Sequence, residues 1–278
     1  MAADGGRRPR GMSEDLPEAS FAATLILLRE QADGPPEIPM IGRSAQMRFA
    51  ASRMVFPGGR LDPADFSLAA QRDLLVGGDH LDEVEVAHRV AAIRETIEEI
   101  GLTPCVEGLR SPDQIATLRQ ALHDGAAFAR LLEEHGLRLM LGDLHPFSRW
   151  RPDHAMPHRF DTRFYIARAP DLGEAVADGG ESVHCRWGTA TDHLAQGGLI
   201  FPTQRNLERI AMASSWADAT AIAARYPMDV VTPWVEERDG VPWLHIPEHL
   251  GYPVTAQLLS EVDRAMDPRR LPRTSAPG

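Results

Sequence analysis

Three glutamates close to the end of one predicted helix are the side chains best placed to do chemistry. In Arg94-Glu95-Thr96-Ile97-Glu98-Glu99-Ile100-Gly101-Leu102, residues three and four apart share a helix face, so Glu95, Glu98 and Glu99 project their carboxylates into one small region. Like charges at that spacing destabilise a helix by roughly 0.2 to 0.5 kcal/mol per pair, and a helix C-terminus favours cations. Something cationic is therefore expected beside them. Arg94, at i to Glu98 at i+4, supplies one charge, but a hard divalent ion with an oxygen shell, Mg²⁺ or Mn²⁺, suits the cluster better. The bland alternative is a solvated acidic face, which is what most Glu-rich helical stretches are. Upstream, Val55-Phe56-Pro57-Gly58-Gly59-Arg60-Leu61-Asp62 runs an apolar strand into Pro and two glycines. Such a loop lets backbone approach backbone, or a ligand phosphate, without a Cβ in the way.

Taken together, the two segments resemble the signature of the Nudix hydrolase family, GX5EX7REUXEEXGU with U aliphatic. Gly59 matches the first glycine, and Arg94, Glu95, Glu98, Glu99, Gly101 and Leu102 match the second half. Three departures stand out. Asp65 occupies the place of the first Glu, Thr96 occupies an aliphatic position, and 28 residues rather than seven separate Asp65 from Arg94, an insertion of 21. A split signature of this kind is similar to the branch of the family that includes the mammalian peroxisomal coenzyme A diphosphatase. Arg43-Ser44, Phe49, Arg159-Phe160-Asp161-Thr162-Arg163-Phe164 and Trp187 also look like that branch, so the resemblance covers about residues 20 to 225.

The resemblance implies an α+β fold, an α/β/α sandwich with a mixed β-sheet between helices, here with added helical insertions. It also implies hydrolysis of a diphosphate linked to another group, with divalent metal bridging carboxylates and phosphate oxygens. Carried over residue by residue, Glu95 and Glu99 are the expected metal ligands with Glu98 a third, and Arg94 orients a glutamate through a bidentate pair. Asp65 is one methylene shorter than Glu, which leaves open whether it reaches the metal or Arg94. The water-activating base is either a signature glutamate or a loop acid such as Glu181 in Asp178-Gly179-Gly180-Glu181. Gly58 and Gly59 with Arg43, Arg60 and Arg163 are the candidates for substrate contact, against the commoner fate of Arg as a surface or ion-paired residue. Coenzyme A or an acyl-coenzyme A is the substrate this branch suggests. A non-catalytic nucleotide-binding sensor on the same scaffold is the competing function.

Composition narrows the field. Of 278 residues, 40 are Asp or Glu and 29 are basic, all of them Arg, for a formal net charge of −11. With no Lys in the chain, Schiff-base and Walker A chemistry are excluded, and the acidic balance argues against wrapping nucleic acid. Cys105 and Cys185 are too far apart for a CxxC pair or a secreted disulfide framework, which fits a reducing cytoplasm. No apolar window reaches membrane-spanning length. Phe21 to Leu28 follows an acidic stretch and lacks a small-residue cleavage site, so it reads as a buried strand and not as a secretory signal. His154 and His158 are spaced HxxxH, but Pro152 and Pro157 break the helix a zinc pair would need. Trp150 beside His154 is a possible wall of a substrate pocket, against the usual fate of Trp in the core.

Several elements must position these groups. Strands are expected at 21 to 28, 53 to 56, 137 to 141, 160 to 167 and 182 to 187, the fourth half-buried. A hairpin turning at Asp239-Gly240 is expected within 234 to 246. Helices are expected at Glu83 to Ile100, capped by Gly101, at Asp113 to His135 as a pair broken at Asp124-Gly125, and at Thr203 to Arg225 as a pair broken at Ser214-Ser215. Residues 18 to 266 read as a single domain with helical insertions near 66 to 87 and 108 to 136, between flexible tails 1 to 17 and 267 to 278. The insertions suit a lid, a specificity wall or a dimer contact, so a homodimer is open.

Overall fold

A long apolar strand explains much of the architecture. In a computed structural model that describes residues 18–44, 53–153, 159–180 and 182–266, β1 (Ser20–Leu28) is buried along most of its length. β2 (Glu37–Arg43), β3 (Met54–Val55) and β4 (Gly58–Arg60) follow, then α1 (Pro63–Ala69), β5 (Leu75–Val76) and α2 (Glu83–Ile100). Next come β6 (Val106–Glu107), α3 (Pro112–His123), α4 (Phe128–His135), β7 (Arg138–Met140), β8 (His145–Trp150), β9 (Phe160–Arg168) and β10 (Ser182–Thr189). The chain continues through α5 (Ala190–Gln196), α6 (Phe201–Ile210), α7 (Trp216–Arg225) and β11 (Val230–Val231). It closes with β12 (Trp234–Arg238), β13 (Val241–His245), β14 (Ala256–Leu258) and α8 (Leu259–Met266). Both expected tails lie outside the described residues.

The main sheet runs β11-β8-β9-β1-β4 and is mixed: β1 pairs parallel with β9, from Ser20 opposite Phe160 to Leu28 opposite Arg168, and antiparallel with β4. Successive side chains of a strand point to opposite faces, and here both faces are covered. Ala23, Leu25 and Leu27 of β1, with Tyr165 and Ala167 of β9, join a core with α2 and the helices α3 and α4. Ile26 and Leu28, with Phe164 and Ile166, join a second core with α6 and α7. The result is a helix, sheet, helix sandwich, and burial on two sides is why β1 reads as a continuous apolar run rather than an alternating one. The expectation of a half-buried strand at 160 to 167 is corrected on the same ground. β9 is covered on both faces, and its charged positions are accommodated by ion pairs: Asp161 is 2% exposed and accepts from Arg149 at 2.6 and 2.7 Å.

The helix of interest forms where its sequence directs. α2 has no internal Gly or Pro, starts at Asp82, whose carboxylate accepts from the Glu85 amide at 2.7 Å, and ends at Gly101 in the left-handed conformation (φ 70°). It is buried on most sides because the sheet covers one flank and α1 and α3 the other. Both expected helix pairs form, with breaks at Asp124-Gly125 and at Ser214-Ser215. The hairpin turns at Asp239 and Gly240, both with positive φ (52° and 75°), as a type I′ turn requires. Segment 66 to 87 is less helical than expected. After α1 it makes a 3-10 turn, the short strand β5 paired with β7, and a turn through Gly77 and Gly78 with φ of 74° and 79° before α2 begins. Trp150 belongs to the core rather than to a pocket wall: it is 3% exposed, and its indole N–H donates to the Tyr252 hydroxyl at 3.1 Å. His154 and His158 lie outside the described residues. No helix among the described residues is long and apolar enough to cross a membrane.

Candidate active site

Arg94 is the hub of the site. Its Nε and Nη2 donate to the two carboxylate oxygens of Asp65, each at 2.9 Å, in a bidentate pair. Nη1 donates to Glu95 at 2.9 Å and to Glu98 at 3.0 Å, and Nη2 also donates to the Arg60 carbonyl at 3.1 Å. These contacts engage all five N–H groups that a guanidinium carries. Asp65 is therefore long enough for Arg94 despite its missing methylene. The 28 residues between the two are spent on the rest of α1, the crossing with β5, and the first three turns of α2. Asp65 is 1% exposed and also accepts from the Asp62 amide at 2.8 Å, closing a capping box at the start of α1. One short carboxylate thus caps its own helix and clamps the next.

The glycine loop fits against the other acids. The Gly58 amide donates to Glu99 Oε2 at 2.8 Å, and Gly58 has a φ of 155° with no room for a side chain, since a Cβ would sit 2.4 Å from the Ala23 carbonyl oxygen. At Gly59 a Cβ would come within 2.4 Å of the Glu95 carboxyl carbon. The loop is glycine-rich because β1 presses on one residue and the glutamate cluster on the next.

Charge in this pocket is out of balance. Arg94, 7% exposed, faces Asp65, Glu95 and Glu98 at hydrogen-bond distance, with Asp62 at 3.8 Å. Burial pushes the Glu95 carboxyl up to about 7, against the pull of Arg94, and Glu98 adds to the rise. Glu98 is raised too, by burial first, with Arg94 and then His123 of α3 drawing it back. For Arg94, burial disfavours the charge, but the Asp65 hydrogen bond and the surrounding carboxylates outweigh it and raise its pKa. The donors are all oxygen, and the negative charge exceeds what one guanidinium offsets, which fits a hard divalent cation. As they stand the carboxylates turn toward Arg94 and Gly58, and among the described residues no three His, Cys, Asp or Glu side chains gather into a ready-made metal site.

The remaining expected residues divide. Arg60 lies beside the cluster, its carbonyl on Arg94 and its side chain exposed. Arg43 ends β2 opposite Ser182 of β10, and its amide donates to the Arg53 carbonyl at 2.9 Å. Glu181 lies outside the described residues. Its neighbours are ordered by Asp178, which accepts from the amides of Gly180 at 3.2 Å and Ser182 at 2.8 Å. Arg163 is not brought to the cluster. It pairs with Glu85, nearly three turns before Glu95 and so about 15 Å away along α2. A cleft of about 450 Å³ opens at the end of α2, lined by Gly101, Ile115, Arg119, His123, Glu174 and Asp178 among others, and none of Glu95, Glu98 and Glu99 lines it. Arg119 and His123 were not singled out from sequence; their partners are backbone carbonyls and a field, which leave no motif.

Among solved structures, a Nudix hydrolase from Alicyclobacillus acidocaldarius is 30% identical to this chain, covers 73% of it and 96% of its own length, and superposes with a TM-score of 0.64. The chain is a Nudix hydrolase. It thus belongs to a family of enzymes acting on phosphorus-containing anhydrides. The MutT protein from Methanosarcina mazei Go1 (14% identity, 72% of this chain and 97% of that one, TM-score 0.40) and a MutT Nudix hydrolase from Burkholderia pseudomallei (16%, 69% and 98%, 0.38) are more distant. No protein-family profile and no curated protein matches the chain. In this Nudix hydrolase Asp65 and Arg94, far apart in sequence, meet in a bidentate pair.

Proposed function

We propose that this Nudix hydrolase cleaves, with a divalent metal, the diphosphate linkage of a nucleoside-diphosphate-linked compound, with coenzyme A and its acyl thioesters as the first substrates to test. The observation that carries the reading is the uneven charge of the pocket: Arg94 spends every donor on Asp65, Glu95, Glu98 and the Arg60 carbonyl, and the carboxylates still outnumber it. Glu95, Glu98 and Glu99 hold Mg²⁺ or Mn²⁺, which when bound offsets the diphosphate charge and acidifies a water. Arg94, clamped by Asp65, fixes the glutamates and does not touch substrate. Gly58 and Gly59 let the backbone of the loop approach the phosphates, and Arg43 and Arg60 supply cationic contacts. Arg163, committed to Glu85, is set aside. The base is one of the signature glutamates or Glu181. The domain carrying this activity is residues 18 to 266 with its insertions. Support for coenzyme A comes from the split signature and its neighbouring segments.

The test is a panel of coenzyme A thioesters, dinucleoside polyphosphates and nucleotide sugars, incubated with Mg²⁺ or Mn²⁺ and read by the masses of both products. A member of the panel should be cut at its P–O–P linkage by the wild-type protein and not by Glu99→Gln. Equal turnover in that variant contradicts the assignment of the glutamates. Cleavage confined to other members of the panel removes coenzyme A alone.

A further inference from the structure

The last four carbonyls of an α-helix have no acceptor role within it. In α2 all four are nonetheless satisfied, from three separate parts of the chain. The Ile97 carbonyl accepts from the Gly101 amide at 2.9 Å, and the Ile100 carbonyl from the Val176 amide at 2.9 Å. The other two, those of Glu98 and Glu99, are taken by one side chain: Arg119 of α3 donates from Nε at 3.0 Å and from Nη2 at 2.9 Å. No basic residue stands in the last turn of α2 itself. Arg119 therefore brings, from another helix, the positive charge that the negative end of the helix dipole lacks. It does so through the backbone of two of the clustered glutamates. Its guanidinium lies close over Gly101, where a Cβ would come within 3.0 Å of Nη1, so the glycine serves this contact as well as the left-handed cap.

On the reading of the glutamates as metal ligands given above, we propose that Arg119 is a positioning residue for them: by gripping the backbone carbonyls of Glu98 and Glu99 it fixes the last turn of α2 and hence where those two carboxylates point. The segment read from sequence as an insertion then contributes to the metal site through α3, without any of its atoms contacting the ion. The grip is on two of the three residues whose side chains do the holding, so a loosened turn moves two donors at once. Groups that orient metal ligands from behind cost roughly 10 to 100-fold in metal affinity or activity when removed.

The experiment is a Mn²⁺ titration of the full chain without substrate, followed by electron paramagnetic resonance, on wild type, Arg119→Ala, Arg119→Lys and Leu118→Ala, with melting temperatures recorded alongside. Leu118 is 1% exposed and buried in the core, so its truncation lowers stability while leaving the Arg119 guanidinium on its two carbonyls. Arg119→Ala should weaken Mn²⁺ binding by at least about tenfold, Arg119→Lys should recover part of it, and Leu118→Ala should melt earlier with Mn²⁺ affinity close to wild type. Wild-type affinity in Arg119→Ala, or an equal loss in Leu118→Ala, overturns the proposal. Should Arg119→Ala not fold, Arg119→Lys decides, since wild-type affinity there is the contradicting result. The underlying reading fails separately, if Glu99→Gln binds Mn²⁺ as the wild type does.

Discussion

Arg94 and Arg209 are both buried guanidiniums on helices, 7% and 1% exposed, yet they live among opposite neighbours. Arg94 is ringed by carboxylates. Arg209 has no carboxylate partner among the described residues. It donates to the carbonyls of Phe147 at 2.8 Å and Ile222 at 3.3 Å and lies against the rings of Phe147, Tyr226 and Tyr252 at 4.4, 5.0 and 5.5 Å. Burial lowers the Arg209 pKa with the two tyrosines opposing, whereas at Arg94 the acids prevail over burial. The difference separates a structural cation from one in the proposed site. Arg209 is accommodated by carbonyl dipoles and ring faces, with its buried Nε left without a hydrogen-bond partner, while the surroundings of Arg94 hold more negative charge than it can offset.

The largest expected effect is at Arg94. Arg94→Met strands Asp65, 1% exposed, without its partner, and breaking a buried pair from one side costs about 3 to 5 kcal/mol; urea unfolding of the metal-free protein should show a loss of that size. A loss under about 1 kcal/mol, the value of an exposed pair, would mean the clamp is loose. Asp65→Glu, which installs the residue the family signature prefers, should also destabilise. α1 is docked for the shorter acid, and overpacking a filled site costs about 1 to 3 kcal/mol. A gain in stability there would show that the clamp has slack. Arg209→Met should cost about 1 to 2 kcal/mol, because the lost carbonyl and ring contacts are partly offset by removing a desolvated charge. Its Mn²⁺ affinity and turnover should match wild type, and a fall in either would erase the contrast between the two arginines.

A smaller effect concerns pH, far from the acids. His193 of α5 is 2% exposed, contacts the Ile38 carbonyl at 2.9 Å, and has its pKa lowered by burial with that carbonyl opposing. The unfolded chain then takes up a proton near 6.5 that the folded chain refuses. The stability contributed by neutral His193 is complete above that pH and is lost as pH falls below it. The drop in melting temperature between pH 7.5 and pH 5.5 should be smaller in His193→Gln than in wild type; an unchanged drop would remove His193 as its source.

How much of this was legible in the sequence depended on how local the causes were. α2 was readable end to end because its caps, Asp82 and Gly101, and its lack of breakers lie within the segment. The hairpin at Asp239-Gly240 was equally local. β2 and β8 were not foreseen as strands, and proline is the reason. Pro39 lies opposite Trp187 within the small sheet, and Pro146 falls where the pairing of β8 with β9 slips. A strand tolerates proline only where no ladder amide is needed or at a bulge, which a single sequence does not announce. The glutamate cluster and the glycine loop were visible, but the Asp65 clamp was left open because a chain excursion of 28 residues gives no hint of returning. Arg119 left no trace, since its partners are carbonyls common to every residue.

If the acids around Arg94 are the seat of a divalent cation, Mn²⁺ must bind there in the full chain at neutral pH. A bound ion is expected in wild type and in Arg209→Met, and its loss in Glu95→Gln and in Glu99→Gln while both variants stay folded. Undiminished binding in those two glutamine variants would contradict it.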